Sequence, residues 1–452
     1  MEFISVPQSK VHLISLGCAR NRVDSEVMLG TLLGKGWGVT DESDEADAIV
    51  INTCGFIQSA KEESIDKILE AAEIKKKNPN TKLVVTGCLP QRYKNQLAQG
   101  LPEVDMFIGT DEFPKIAEFL KSTEDGELEK RVHTKRSNYL YNQYIPRINT
   151  LTKHSAYVKV AEGCQHNCSF CIIPAIRGPL RSRSIESVVV EVQELVAKGV
   201  VEINLIAQDL AAFGREIDQD LLLPLLKKLC QIDGLKWIRL LYMYPENIND
   251  EFLDFFAQED KLVKYLDVPV QHANDRILRS MNRDISRKEL RDIFAKVRER
   301  IPGIAIRTSV MVGYPGETEE EFLQLVDFIS EVKFDHLGCF SYSQEEGTVA
   351  GRLPDQIDEE TKLRRLHAVM SLQQGISSER LKSYIGQIHK VLVKGLSDET
   401  DLLWEGRLST QAPEVDGIVY LNDGKLQAGQ IQDVLITESH DYDLVGRVVS
   451  PE

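Results

Sequence analysis

At 452 residues, with 54 lysines and arginines against 70 aspartates and glutamates, the chain is too long for one ordinary core and too acidic for broad, nonspecific nucleic-acid binding. No stretch approaches the apolar run of a membrane helix, and the opening MEFISVPQSKVHLISLG lacks a basic segment leading into a cleavable apolar one. Two or three domains in a cytoplasmic protein are expected, and in a reducing compartment clustered cysteines are read as metal or redox ligands ahead of disulfides.

The N-terminal third repeats one arrangement three times: VHLISLGC (11–18), AIVINTC (48–54) and KLVVTGC (82–88) are apolar, β-rich runs ending in a cysteine, each followed by a helical pattern. Near-continuous apolar strands belong to parallel sheets covered on both faces, so residues 1–125 are predicted as an open parallel α/β domain. After the second run, Ile65, Ile68, Leu69 and Ala72 form one helical stripe, with Ser59 as the expected N-cap. Ligands of such sheets gather beyond the carboxyl ends of the strands, where Cys18, Cys54 and Cys88 all lie.

Residues 121–154 are polar and lack sustained periodicity, which predicts a linker over 126–154. From 155 to 385, six apolar strands alternate with amphipathic helices: AYVKVAEGC, VEINLIAQD, IRLLYMYP, YLDVPVQH, AIRTSVMVGYPG and FDHLGCFSYS. Six βα units predict a partial (βα)6 barrel with its working end at the strand C-termini. Directly after the first strand comes EGCQHNCSFCIIP, which spaces Cys164, Cys168 and Cys171 as Cys-x-x-x-Cys-x-x-Cys.

Each cysteine group therefore offers three thiolates, whereas zinc sites and closed iron–sulfur clusters normally take four protein ligands. Spacing alone leaves a structural zinc, or plain packing of strand-end cysteines, as open readings. Cys230 and Cys339 have no partners at ligand spacing and are read as buried packing residues. Thr318 and Glu321 form an expected capping box after VGYPGET, and His272 ends a strand where it can meet substrate. Arg177, Arg181 and Arg183 of IRGPLRSRS are expected to face a polyanion, a cofactor or an acidic substrate group.

The chain closes, over 386–452, in short β-rich pieces (IHKVLVKG, WEGRL, GIVYLN, IQDVLITES, YDLVGRVV) separated by Gly, Asp and Asn turns, which predicts a small five-stranded all-β barrel. That segment holds five lysines or arginines against twelve aspartates or glutamates. Such a module repels RNA and attracts a basic protein.

The Cys164–Cys171 loop resembles that of the radical S-adenosylmethionine (SAM) enzymes, in which three thiolates bind a [4Fe-4S] cluster and the cofactor chelates the fourth iron. The resemblance implies that an electron from the cluster breaks a carbon–sulfur bond of the cofactor and releases a radical able to take hydrogen from an unactivated carbon. It also implies cofactor contacts at Gln208 and Asp209 of LIAQD and at Gly313 and Gly316 of VGYPGET. With the N-terminal triplet added, nearly the whole chain resembles the methylthiotransferases, which carry a second [4Fe-4S] cluster in such an N-terminal domain and end in a TRAM-type barrel.

Within that family SLGCARNRVDSE, NTCGFIQSAKEESID, YLDVPVQHANDRIL and YSQEEGT resemble the branch acting on a ribosomal protein more than the branch acting on tRNA adenosine. The resemblance implies methylthiolation of the β-carbon of an aspartate in the twelfth small-subunit ribosomal protein, free or in the ribosome, with a low-potential electron donor. RNA remains the alternative substrate, and an iron–sulfur electron carrier the alternative class.

Overall fold

The computed structural model describes residues 9–121, 131–397, 400, 402–422 and 426–449. An N-terminal sheet is built from β1 (Ser9–Ser15), β2 (Trp37–Val39), β3 (Ala48–Thr53), β4 (Lys82–Gly87), β5 (Met106–Ile108) and β6 (Val132–His133). All its pairs are parallel, in the order β2-β1-β3-β4-β5-β6. Helices α1 (Ala19–Gly34), α2 (Gln58–Lys77), α3 (Cys88–Gly100) and α4 (Ile116–Lys121) cover it.

The apolar runs have their cause in this cover. On β3, Ala48 and Val50 pack with Val27, Met28 and Leu32 of α1, while Ile49 and Ile51 pack with Ile68, Ala71 and Ala72 of α2. Both faces are dry, so alternation is lost and every residue of β3 is buried. Ile57 caps α2, and the expected cap Ser59 lies inside the first turn. Leu69, expected on the apolar stripe, is 45% exposed, because the buried face is centred on Ile68, Ala71 and Ala72.

A second parallel sheet holds β7 (Ser155–Lys159), β10 (Glu202–Ile206), β11 (Trp237–Leu240), β12 (Leu262–Asp267), β13 (Ala305–Val312) and β14 (His336–Ser341), each beside its neighbour in sequence. Between the first two strands, β8 (Ala161–Glu162) and β9 (Arg181–Ser182) make a short antiparallel pair. This is the partial barrel. Its outer face packs on helices, while Tyr157, Ile206, Trp237, Val263 and Tyr265 on the inner face meet Val23 of α1 and Leu392 and Ala412 of the terminal barrel.

The terminal strands β15 (Ile388–Leu396), β16 (Trp404–Leu408), β17 (Val419–Leu421), β18 (Ile431–Ser439) and β19 (Leu444–Val448) close in the order β15-β16-β17-β19-β18. Of the expected linker, residues 126–130 lie outside the described residues. Its remainder packs as a strap: Tyr141 enters the N-terminal core, and Arg147 pairs with Glu26 and Glu191, each at 2.6 Å. Among the described residues no helix is long and apolar enough to cross a membrane.

Candidate functional site

Register brings the N-terminal cysteines together. Thr53 of β3 pairs with Gly87 of β4, so Cys54 and Cys88 leave adjacent strands at one level, and Ser15 of β1 pairs with Asn52 just below them. Gly17 has φ +87°, and a Cβ there would sit 2.8 Å from the Cys54 Cβ. Gly87, at φ +99°, would drive a Cβ to 2.4 Å from Asn52 Oδ1. Only glycine takes these turns.

Cys18 caps α1 and Cys88 opens α3, so both sulfurs sit at helix N-termini, where partial positive charge favours a thiolate. Burial pushes Cys54 up to about 12, and the charges of Cys88 and Cys18 add to it. Burial also raises Cys88 against the pull of Arg177. At Cys18 burial is opposed and outweighed by Arg20, Arg177 and nearby backbone N–H groups, and the thiol is lowered.

The second set follows Gly163, whose φ of +78° leads into the loop and whose Cβ would meet the Pro179 carbonyl oxygen at 2.0 Å. The Cys171 N–H donates to the Cys168 carbonyl at 3.0 Å, and that of Cys164 to Gly178 at 3.2 Å. Between the last two cysteines, Ser169 donates its N–H to Met281, accepts from the Ala350 N–H, and shares a 2.8 Å hydroxyl contact with Tyr314. The loop is thus held from three sides. Burial pushes Cys164 up to about 11 and Cys171 up to about 12.

Of the expected cofactor residues, Asp209 is buried and spends its oxygens on His166 Nε2 (2.7 Å) and on the N–H groups of Ala211 and Tyr244. His166 stacks on Tyr244, with ring centroids 3.8 Å apart, so Asp209 orients the cysteine loop from beneath. Gln208 donates to Glu162 at 2.7 Å, while its Oε1 is buried without a protein partner. Gly313 and Gly316 lie across the sheet after β13 and reach the loop through Tyr314. A Cβ at Gly313 would meet Lys362 Cγ at 2.3 Å, whereas Gly316 faces open space.

The expectations for His272, Arg181 and Arg183 are corrected, while those for Cys230, Cys339 and the capping box hold. His272 is fully buried, contacts Glu317 at 3.2 Å and accepts the Asn274 N–H, so its ring is used internally. Arg183 is buried on Glu191 and Ser187, and Arg181 binds Pro179, Ser137 and Tyr139, because the segment folds back against α/β core and strap. Cys230 and Cys339 are half-buried and pack against the barrel core. The capping box of Thr318 and Glu321 is present.

Arg177 ends the short helix α5 (Ile173–Arg177) that leaves the cysteine loop, and it reaches into the N-terminal unit. Its guanidinium donates to Asp24 at 2.6 Å, Asn21 at 3.1 Å and the Cys88 sulfur at 3.4 Å. Lys159 contacts the same Asp24 and, at 2.7 Å, Glu162, giving two cations and two carboxylates buried together beside Cys88. Sequence reasoning passed over Asp24, Lys159 and Glu162 as partners; their charges within apolar runs were the available signal.

Among the described residues no three His, Cys, Asp or Glu side chains crowd around a single ion position. The donor chemistry fits a larger group: each set has three soft thiols, with cations beside the N-terminal set and an unpaired acceptor on Gln208 beside the second. A cavity of about 390 Å³ lined by Arg307, His336, Tyr384, Asp416 and Tyr442 touches none of the six cysteines.

Family models match three segments: the Uncharacterized protein family UPF0004 over residues 10–109, the Radical SAM superfamily over 158–329 and a TRAM domain over 385–449. The ribosomal protein uS12 methylthiotransferase RimO of Desulfotalea psychrophila is 51% identical over 444 residues, 98% of this chain and 100% of the relative. Those of Bdellovibrio bacteriovorus (47%, covering 97% of each chain) and Syntrophotalea carbinolica (49%, covering 98% of each) are similar to it over the same extent. The fold is shared with TsrM, a radical SAM methyltransferase from Kitasatospora setae solved with cobalamin and a [4Fe-4S] cluster (TM-score 0.57, 15% identity, 76% of this chain and 74% of that one). It is shared also with the cobalamin-dependent SAM radical enzyme OxsB (TM-score 0.52, 12% identity, 82% and 56%).

Proposed function

The chain belongs to the RimO family of ribosomal protein uS12 methylthiotransferases, and from that premise we propose that it attaches a methylthio group to the β-carbon of an aspartate in uS12. An iron–sulfur cluster and SAM are its cofactors. In this reading Cys164, Cys168 and Cys171 hold the cluster that works with SAM, and Cys18, Cys54 and Cys88 hold a second one that carries the incoming sulfur. When bound, the cluster and SAM supply one-electron chemistry that can take hydrogen from an unactivated carbon.

The chain's own residues position and exclude. Asp209 holds His166 against Tyr244 and so sets the course of the loop; Gln208 Oε1 is free to accept from the cofactor, and Gly316 admits a close backbone approach. Residues 1–125 act as the sulfur-carrying unit, 155–385 as the radical unit and 386–452 as the module that receives a basic ribosomal protein, with a low-potential donor supplying electrons in the cytoplasm. The observation that supports this reading most is that each set of three cysteines comes together at the strand ends of its own sheet, with Arg177 running from the helix after the radical loop to the Cys88 sulfur.

The test is mass spectrometry of uS12 and of total tRNA nucleosides from cells with and without the chain. One methylthio increment on the aspartate-bearing peptide, present only with the chain, is the expected result. An increment on adenosine with uS12 unchanged would replace the proposed substrate.

A further inference from the structure

The geometry points to Arg177 as a positioning residue that sets the potential of the second cluster, an inference that rests on the reading of Cys18, Cys54 and Cys88 as that cluster's ligands. Arg177 is six residues beyond Cys171, and α5 carries it from the radical loop directly into the N-terminal unit. It is 3% exposed. One guanidinium nitrogen, Nη1, lies 2.6 Å from Asp24 and 3.5 Å from Glu162, while Nη2 serves Asn21 at 3.1 Å and the Cys88 sulfur at 3.4 Å. No shorter or rounder cation spans these acceptors, since lysine presents a single point charge where arginine presents a rigid fork.

Hydrogen bonds to the ligating sulfurs, net charge and solvent exposure are what set iron–sulfur potentials. A buried cation with an N–H directed at a ligand sulfur stabilises the more negative, reduced state, and so raises the potential. Because Asp24 also engages Lys159 on β7, the same side chain ties the sulfur set to the first strand of the barrel. A reductant able to charge the radical cluster then also meets a second cluster whose potential depends on this contact.

The experiment uses the full chain with Cys164→Ala, Cys168→Ala and Cys171→Ala together, reconstituted with iron and sulfide, so that only the N-terminal set can hold a cluster. Iron content and a potentiometric titration followed by electron paramagnetic resonance are read for this background and for the same background with Arg177→Lys or Arg177→Met. We expect about four irons per chain in all three, a more negative midpoint and altered g-values in Arg177→Met, and a smaller shift of the same sign in Arg177→Lys. Arg177→Lys keeps the charge that balances Asp24, so it reads the lost sulfur contact even where Arg177→Met does not fold. An unmoved midpoint and unmoved g-values in Arg177→Lys, with iron bound, would overturn the inference and leave the cluster reading standing. Absence of iron from the triple-cysteine background itself would overturn the cluster reading.

Discussion

A hydrogen atom in place of a methyl group decides the path of both cysteine sets. At Gly163 a Cβ would press on a backbone carbonyl, which has no rotamer to escape into, and φ of +78° adds roughly 1 kcal/mol for any other residue. Gly163→Ala is expected to lose about half of the reconstituted iron, as the radical loop fails to form, while the N-terminal set still loads; iron analysis and absorption at cluster wavelengths check this. The two sets also separate by function: Cys54→Ala should still yield 5'-deoxyadenosine from SAM under reduction but no methylthiolated uS12, whereas Cys168→Ala should yield neither. 5'-Deoxyadenosine from Cys168→Ala would sink the division. Cys164, Cys168 and Cys171 were legible because their ligand spacing is local, and Cys18, Cys54 and Cys88 because each ends a repeated apolar strand; within each triplet the thiols come close enough to act on one another. Arg177, Arg181 and Arg183 looked alike in sequence, yet one meets a thiol and two are consumed by the fold, since only packing decides what a buried cation faces.

Strands read well from apolar runs where both faces are covered, as on β3, and the six barrel strands and five terminal strands appear at the apolar and β-rich pieces read from the sequence. Helix ends read less well, as Ile57 rather than Ser59 at the start of α2 shows: the entry angle is set by the Cys54 loop, where the Ser64 hydroxyl takes the Cys54 N–H, and not by the nearest capping side chain. The terminal barrel docks in part through a carboxylate held by two guanidiniums, Glu202 of β10 with Arg239 of β11 and Arg407 of β16, all buried. Burial alone would raise the Glu202 carboxyl, yet Arg407 and Arg239 bring it down to about 2. Its folded value lies below the usual one near 4.3, so its contribution is complete above about pH 4.3 and is lost as pH falls toward 2. Hydrogen exchange over β15 to β19 should show protection falling through that window in the wild-type chain, and low, nearly pH-independent protection in Glu202→Gln. Glu202→Ala leaves two buried guanidiniums uncompensated and is expected to cost ~3–5 kcal/mol, measured by denaturant unfolding.

Across the whole molecule buried ion pairs fasten the N-terminal unit to the barrel at separated points, through Arg177 and Asp24 near β7, through Lys61 and Arg92 on Glu345 beyond β14, at 2.8 and 2.6 Å, and through Arg147 of the strap between Glu26 and Glu191. Glu345→Gln should raise hydrogen exchange at residues 55–62 and 343–348 without changing that of β3, since the sheet core does not depend on the contact; equal exchange in both proteins would show that the second fastening is idle. Charge counting needed the same correction. Of the acids in the terminal segment, Asp416 is buried against Tyr265, Arg307 and His336, and Glu414 pairs with Arg22, so part of the apparent negative surface holds the barrel in place rather than meeting solvent. What the sequence determined by itself were the strand runs and the spacing of the Cys164, Cys168 and Cys171 loop, because periodicity and ligand spacing act within a few residues of the chain. Only the tertiary structure decided that Asp24 of the N-terminal unit meets Lys159 and Arg177 of the radical unit beside Cys88, because opposite charges more than a hundred residues apart are paired by burial, and burial is a property of the assembled fold.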